Sequence, residues 1–308
     1  MDTDTSLIIV NDLQKHFGKN SVLQGLNFRV NQQEIHGLVG LNGAGKTTTI
    51  ECVLGLKPFD SGSIKILNVQ PSKLHTTNGR LAVVFDSPCI HPNLTVRQGL
   101  EYAKITCGKK DTASPEELEE KLGISRYRNY KVKNLSLGNR RRTSIAQALI
   151  GKPDFIILDE PFSSLDAGGV DELLLLIKEL NRKEGITFLL ASHQLPYLEQ
   201  ICSHVSILHQ GAIALSIRIE ELFDLGHTRA VLHTNGDNNI LNILSKIKGI
   251  TICNNHHNEG ILVELDGINT AQLNRELIRQ DVDVYELIRQ RPSLDSLFRK
   301  ITGNNANA

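Results

Sequence analysis

Short apolar runs, each closed by glycine, proline or aspartate, dominate the pattern of this chain. Ile35-His36-Gly37-Leu38-Val39, Leu81-Ala82-Val83-Val84-Phe85, Phe155-Ile156-Ile157-Leu158 and Ile186-Thr187-Phe188-Leu189-Leu190-Ala191 show almost no polar alternation. That is the signature of parallel strands covered on both faces. Ser6 to Val10 and Leu26 to Val30 read as strands of a separate antiparallel layer, with His16-Phe17-Gly18 in a loop between them. A third strand, Gly62 to Leu67, follows the turn chemistry of Pro58 to Gly62. Leu94 to Ile150 turns helical, with Glu116, Glu117, Glu119 and Glu120 on an exposed side. Its last helix should bury Ile145, Ala146, Leu149 and Ile150 and point Arg140, Arg141 and Arg142 outward. Val205 to Ala214 reads as a closing hairpin. Beyond about residue 225 the order is strand, helix, strand, strand, helix, strand, from Ala230 to Ile288, with a final helix from Ser293 to Thr302. His256-His257 falls in a hairpin turn of this part, where it reads as solvated.

The pattern predicts an α/β domain over residues 1–225, carrying a helical insert at about 90–150. A small α+β module, ferredoxin-like in order, follows over 226–302, and 303–308 is a polar tail expected to be disordered. Lys plus Arg and Asp plus Glu are equal at 34 each in 308 residues, so no global charge argues for nucleic acid or an anionic surface. Cys52, Cys89, Cys107, Cys202 and Cys253 are far apart, odd in number and contain no C-x-x-C pair, which suits free thiols in a reducing compartment. The start, Met1-Asp2-Thr3-Asp4-Thr5, is acidic where a secretory leader is basic. Apolar runs such as Leu173 to Ile177 fall well short of the roughly 20 residues that span a bilayer. A cytoplasmic protein is expected, reaching a membrane only through a partner.

Candidate chemistry concentrates where the apolar runs end. Gly40-Leu41-Asn42-Gly43-Ala44-Gly45-Lys46-Thr47-Thr48 fits G-x-x-x-x-G-K-[ST], with a strand before it and a helical run after it. Glycines there let successive amide hydrogens converge on an anion at a helix start, so a nucleotide polyphosphate is the expected ligand. Lys46 would reach the β- and γ-phosphates, Thr47 would place its hydroxyl on Mg²⁺, and Thr48 would lie near the α-phosphate. Asp159 and Glu160 close a buried strand, a costly position unless something binds them; Asp159 suits Mg²⁺ and Glu160 an attacking water. Asp86 ends another such strand, where parallel sheets bind ligands. A lone histidine is usually structural, but His193 ends the strand beside these acids and reads as a γ-phosphate contact. Ser136 and Gly138 open a helix as a second anion site, and Asp166 lies in a loop suited to meeting a neighbouring subunit. Phe17 either stacks on an adenine face or plugs a turn, and its own surroundings favour neither.

In order, GLNGAGKTT, LSLGN, FIILDEP, SSLD and ASHQ, preceded by Phe17, resemble the nucleotide-binding subunit of an ABC transporter over residues 6 to about 225. The resemblance implies a P-loop NTPase fold and an ATP-dependent dimer of like subunits, homomeric or with a similar chain. Two ATP molecules would lie between one subunit's P-loop and the other's Ser136 and Gly138. It further implies Glu160 as general base, Asp159 and Thr47 as magnesium ligands, His193 as γ-phosphate sensor and Phe17 as adenine platform. Two departures stand out. Leu137 and Asn139 replace a glycine and the glutamine of LSGGQ, and Asp86 stands where the family usually has a magnesium-touching glutamine. An acid at that loop, the LSLG signature and the ending PSLDSLFRKITG are similar to exporters of lantibiotics, bacitracin and related drugs.

The function implied is an ATPase subunit, peripheral on the inner face of the membrane, powering export or immunity through separate membrane-spanning permease subunits. A soluble ABC-type ATPase acting on nucleic acid or ribosomes is the competing class. It generally carries two ATPase units or a long coiled coil, whereas this chain has one P-loop, no sustained heptads and neutral charge. A P-loop kinase or GTPase leaves LSLGN and His193 unexplained, and a guanine-reading N-K-x-D segment is missing.

Overall fold

The computed structural model describes residues 5–86, 90–222, 228–234, 240–256, 260–290 and 293–303. Ser87, Pro88, Cys89, His257 with the side chain of His256, Pro292 and the expected tail from residue 304 onward lie outside the described residues. The chain divides into two compact units, Met1–Arg218 and Ile219–Ala308.

The first unit opens with β1 (Ser6–Phe17) and β2 (Asn20–Asn31), followed by β3 (Ile35–Val39), α1 (Lys46–Val53) and β4 (Ser61–Ile66). β1, β2 and β4 make an antiparallel layer in the order β2-β1-β4. Next come β5 (Leu81–Val84), helices α2 (Val96–Thr106), α3 (Pro115–Lys121) and α4 (Leu137–Leu149), β6 (Phe155–Asp159), α5 (Ala167–Glu184), β7 (Thr187–Ser192), α6 (Leu195–Ile201), β8 (His204–His209) and β9 (Ala212–Arg218). The second sheet runs β5-β6-β7-β3-β8-β9, parallel except for the β8–β9 hairpin. Every residue of β3, β6 and β7 is buried, which is why these strands read as unbroken apolar runs. One apolar cluster joins Ile8, Phe28 and Ile64 of the antiparallel layer to Ile50 and Val53 of α1 and to Leu38, Ile157 and Leu189 of the parallel sheet. Each such fully buried side chain contributes about 1.5–3 kcal/mol, so the start of α1 is anchored from two sheets at once.

Three readings of the sequence are corrected here. Phe17 does not lie in a loop: β1 continues through it, with Phe17 opposite Asn20. Asn11 and Asp12 disfavour a strand, but they are absorbed as an irregularity in which Asp12 takes φ 46°, after which Leu13 and Lys15 resume the inward alternation. Glu119 is not exposed. It is fully buried, and Arg97 grips it through Nε and Nη2 at 2.7 Å each, with Arg128 Nε 3.6 Å away. The arginines of α4 do not point outward either: Arg140 Nη2 donates to the carbonyls of Lys133 and Leu135, and Arg142 Nη1 donates to that of Leu122. Three consecutive helical residues sweep roughly 200° of the helix, so at least one of them must face a neighbour.

The second unit contains α7 (Ile219–Leu222), β10 (Thr228–Thr234), α8 (Ile240–Lys246), β11 (Ile250–His256), β12 (Gly260–Leu265), α9 (Thr270–Arg279), β13 (Val284–Gln290) and α10 (Leu294–Thr302). Its sheet runs β11-β12-β10-β13 with all neighbours antiparallel, the split βαβ arrangement of ferredoxin-like folds. Ala230, Leu232 and Val263 of the sheet pack with Leu244 of α8 and with Leu273 and Leu277 of α9.

A carboxylate pins the turn that feeds β3. Glu34 accepts from the Asn31 backbone amide at 3.0 Å and its side-chain amide at 2.7 Å, and lies 3.6 Å from His36 Nδ1. Burial would raise its pKa, but the His36 and Asn31 contacts prevail and lower it from 4.5 to about 2. A carboxylate lowered on folding stabilises the native state fully above its unfolded pKa, and that contribution is lost as pH falls through the folded value. Glu34→Gln should therefore be less stable than the parent at neutral pH, with a gap that closes progressively below about pH 4.5. Urea unfolding of both proteins at a series of pH values checks this; a gap independent of pH contradicts it.

Candidate active site

The site is set by strand order. β7 lies between β3 and β6, so the C-terminal ends of these three parallel strands are immediate neighbours about 4.8 Å apart. The glycine-rich turn leaves the first, His193 follows the second, and Asp159 and Glu160 close the third. Open parallel sheets bind ligands at such an edge.

Residues 40–48 form the turn between β3 and α1. Gly43 and Gly45 take φ of 82° and 108°, backbone that L side chains rarely adopt. Gly40 is required for another reason: a Cβ there would stand 2.9 Å from the Leu208 carbonyl oxygen. Leu41 is about half exposed at the outer side of the turn, and the turn closes by the Ala44 amide donating to the Leu41 carbonyl at 3.1 Å. Thr49 Oγ1 donates to Gly45 O at 2.9 Å, securing the first turn of α1.

Lys46 is buried and its Nζ is shared: it donates to the Gly40 carbonyl at 2.8 Å and the Leu41 carbonyl at 3.3 Å, and lies 3.2 Å from Glu160 Oε1. Thr47 Oγ1 donates to Asp159 Oδ2 at 3.1 Å. Asp159 Oδ1 is buried with no hydrogen-bond partner. Burial, together with the neighbouring Glu160 charge, pushes the Asp159 carboxyl above its usual range against the Thr47 bond and the Lys46 charge. Such a carboxylate gains most from a cation. Among the described residues no three His, Cys, Asp or Glu side chains gather as a metal site; the Thr47 hydroxyl is the oxygen donor beside Asp159.

Glu160 shifts the other way. Burial would raise it, but the His193 hydrogen bond and the Lys46 ammonium hold its carboxyl below the usual range. His193 Nδ1 lies 3.1 and 3.0 Å from the two carboxylate oxygens, and Ser192 Oγ donates to Oε2 at 3.2 Å. The structure thus brings together Lys46, Thr47, Asp159, Glu160 and His193. Adjacent carboxylates displaced in opposite directions fit two separate tasks.

The remaining candidates sit around this group. Asp86 Oδ1 accepts from Arg141 Nη2 at 3.3 Å. Ser136 caps α4, its Oγ accepting from the Asn139 backbone amide at 3.4 Å and from its side-chain amide at 3.0 Å, and a Cβ on Gly138 would meet Leu165 Cδ2 at 3.9 Å. Asp166 caps α5 by accepting from the Gly169 amide at 2.9 Å. Phe17 is 45% exposed, with Lys15 Nζ 5.1 Å and Lys57 Nζ 5.4 Å from its ring centre, so it offers a face that cations already attend. Sequence reasoning missed Ser192 and Arg141. The helical phase of three adjacent arginines was the signal for the second.

Comparison with known proteins agrees with this geometry. A model of the ABC transporter family matches residues 23–163. The chain is 31% identical over 297 residues to the ABC transporter ATP-binding protein YdbJ of Bacillus subtilis (strain 168), covering 96% of this chain and 95% of that protein. It is 32% identical over 302 residues to the bacitracin transport ATP-binding protein BcrA of Bacillus licheniformis, covering 97% and 98%. A solved ATP binding subunit of an ABC transporter superposes with a TM-score of 0.63 at 28% identity, covering 71% of this chain and 92% of the other.

The contact at Gly40 gives a direct check on the turn. Gly40→Ala forces a methyl group against a fixed backbone carbonyl, an overpacking that costs about 1–3 kcal/mol. It should weaken nucleotide binding at least as much as it lowers the melting temperature. Titration with a fluorescent nucleotide beside a thermal melt separates the two; unchanged affinity would show that the turn does not hold the phosphates.

Proposed function

The chain belongs to the ABC transporter ATP-binding proteins, and from that membership we propose that it hydrolyses ATP to drive export of, or immunity to, a peptide antibiotic or similar amphipathic compound through separate membrane-spanning subunits. The convergence of Lys46, Glu160 and His193 beside the phosphate-binding turn carries this reading. The bacitracin transport relative, matched along nearly its whole length, supports the substrate class. No helix among the described residues is long and apolar enough to cross a membrane, in keeping with a separate permease and a place on the membrane's inner face.

The triphosphate would lie along residues 40–48, its oxygens on the backbone amides and its base against Phe17. Lys46 would leave the Gly40 and Leu41 carbonyls for the β- and γ-phosphates. Thr47 and Asp159 would hold Mg²⁺, with Asp86 bordering the set; the ion neutralises charge on the transferring phosphoryl group. Glu160 orients the attacking water and takes its proton as the new P–O bond forms and the bond to the β-phosphate oxygen breaks. His193, fixed on Glu160, holds the base and meets the γ-phosphate. Once Lys46 turns to the phosphates, one of the influences that lowers the Glu160 pKa is gone, so substrate arrival makes the carboxylate a better base. Ser136 and Gly138 of a second subunit would complete the site, with Asp166 near that interface.

Replacing the base tests the chemistry. Glu160→Gln should lower turnover by roughly 10²- to 10⁴-fold with ATP still bound; full turnover in that variant removes Glu160 from the role. The same variant holds ATP long enough to capture partners from gently solubilised membranes. A stoichiometric polytopic membrane protein is the expected companion, and ribosomal or other soluble partners alone would overturn the transport reading.

A further inference from the structure

The geometry points to Arg141 as a positioning residue for hydrolysis: its guanidinium ties the α4 helix to the Glu160 main chain and to Asp86, holding the catalytic carboxylate in a strained backbone. This rests on the reading of Glu160 as general base. Arg141 is the second residue after Asn139 in LSLGN and its side chain is only 10% exposed. Nη1 donates to the Phe85 carbonyl at 3.0 Å, and Nη2 donates to Asp86 Oδ1 at 3.3 Å and to the Glu160 carbonyl at 3.2 Å. One side chain therefore joins α4, the end of β5 and the end of β6. Burial pulls the Arg141 pKa down while Asp86 opposes it.

Glu160 is what needs holding. Its φ is 44°, in left-handed backbone, and Pro161 follows it. A residue before proline is driven toward extended backbone, so this conformation costs about 1–3 kcal/mol and persists only where surroundings impose it. Its amide donates to Ala191 O at 2.8 Å, and its carbonyl accepts from Ser163 N at 3.2 Å as well as from Arg141. Of these, the Arg141 bond alone reaches across to α4. The carboxylate direction is then set jointly by the strand edge and by the helix whose first residues carry LSLGN.

A planar fork can serve the Phe85 carbonyl on one nitrogen and two further oxygens on the other, whereas lysine supplies a point charge. Arg141→Met keeps bulk and removes the donors. Its expected effect in the full chain is a roughly 10- to 100-fold fall in kcat, the scale of a catalytic group displaced by about 1 Å, with KM and Kd for ATP within about threefold of the parent. Arg141→Lys should fall between the two. Asp86→Asn should cost only a few-fold in kcat, and adding it to Arg141→Met should cost less than the product of the single effects, because the two residues share one contact.

Glu160→Gln is assayed in parallel. If it retains parent turnover, the base assignment fails on its own, whatever Arg141 does. If it is inactive while Arg141→Met and Arg141→Lys keep kcat within about twofold, the positioning role is overturned and the base stands. If kcat, ATP affinity and melting temperature fall together in both Arg141 variants, Arg141 supports the fold generally, and the inference is equally overturned.

Discussion

The position of β7 between β3 and β6 is the constraint on which the rest depends. A parallel sheet fixes neighbouring strands about 4.8 Å apart and points their C-terminal ends the same way. The glycine-rich turn therefore meets the histidine and the paired carboxylates although it lies more than 100 residues before either in the chain. The burial of all three strands prevents them from slipping, since any shift would expose apolar side chains on both faces. The antiparallel layer adds to this by clamping α1 from its other side, so that Lys46 and Thr47 start from a fixed helix end.

On that scaffold the electrostatics are a matter of sharing. Lys46 serves two carbonyls and one carboxylate, a set of partners that a triphosphate can replace without leaving the ammonium bare. Asp159 and Glu160 are adjacent, yet one is raised mainly by burial and the other is lowered by His193 and Lys46 against its own burial. Because β6 ends at Asp159 and Glu160 turns into left-handed backbone, two neighbours in sequence acquire different surroundings. An orphaned oxygen on the first and a saturated carboxylate on the second suit a cation and a water respectively.

Much of this was legible in the sequence because the relevant signals are local. Apolar runs without alternation gave the parallel strands, glycine spacing gave the turn, and a carboxylate pair at the end of a buried run gave the third component of the site. The order of the second unit was legible from the same periodicities. What stayed hidden depends on partners distant in the chain. Glu119 looks like one more surface carboxylate of an acidic helix until Arg97 and Arg128 arrive from elsewhere. β1 passes through Asn11 and Asp12 because pairing on both its edges overrides their local preference. Arg140, Arg141 and Arg142 look interchangeable in a row, and only their helical phase sends one toward the site.

One of the two departures from the family's usual residues, Asp86, meets that same arginine. Read one at a time, an aspartate in place of glutamine after β5 is a shortened arm, and an arginine two residues past LSLGN is one more surface charge. In the fold they are one ion pair with Asp86 Oδ1 at 3.3 Å, and the guanidinium spends its other donors on two main-chain carbonyls. A shorter acid does not by itself break the link between β5 and the carboxylate strand, because a longer cation on α4 spans the remaining gap. The Phe85 carbonyl, Asp86 and the Glu160 carbonyl are thus joined by one side chain of the helix that Ser136 caps.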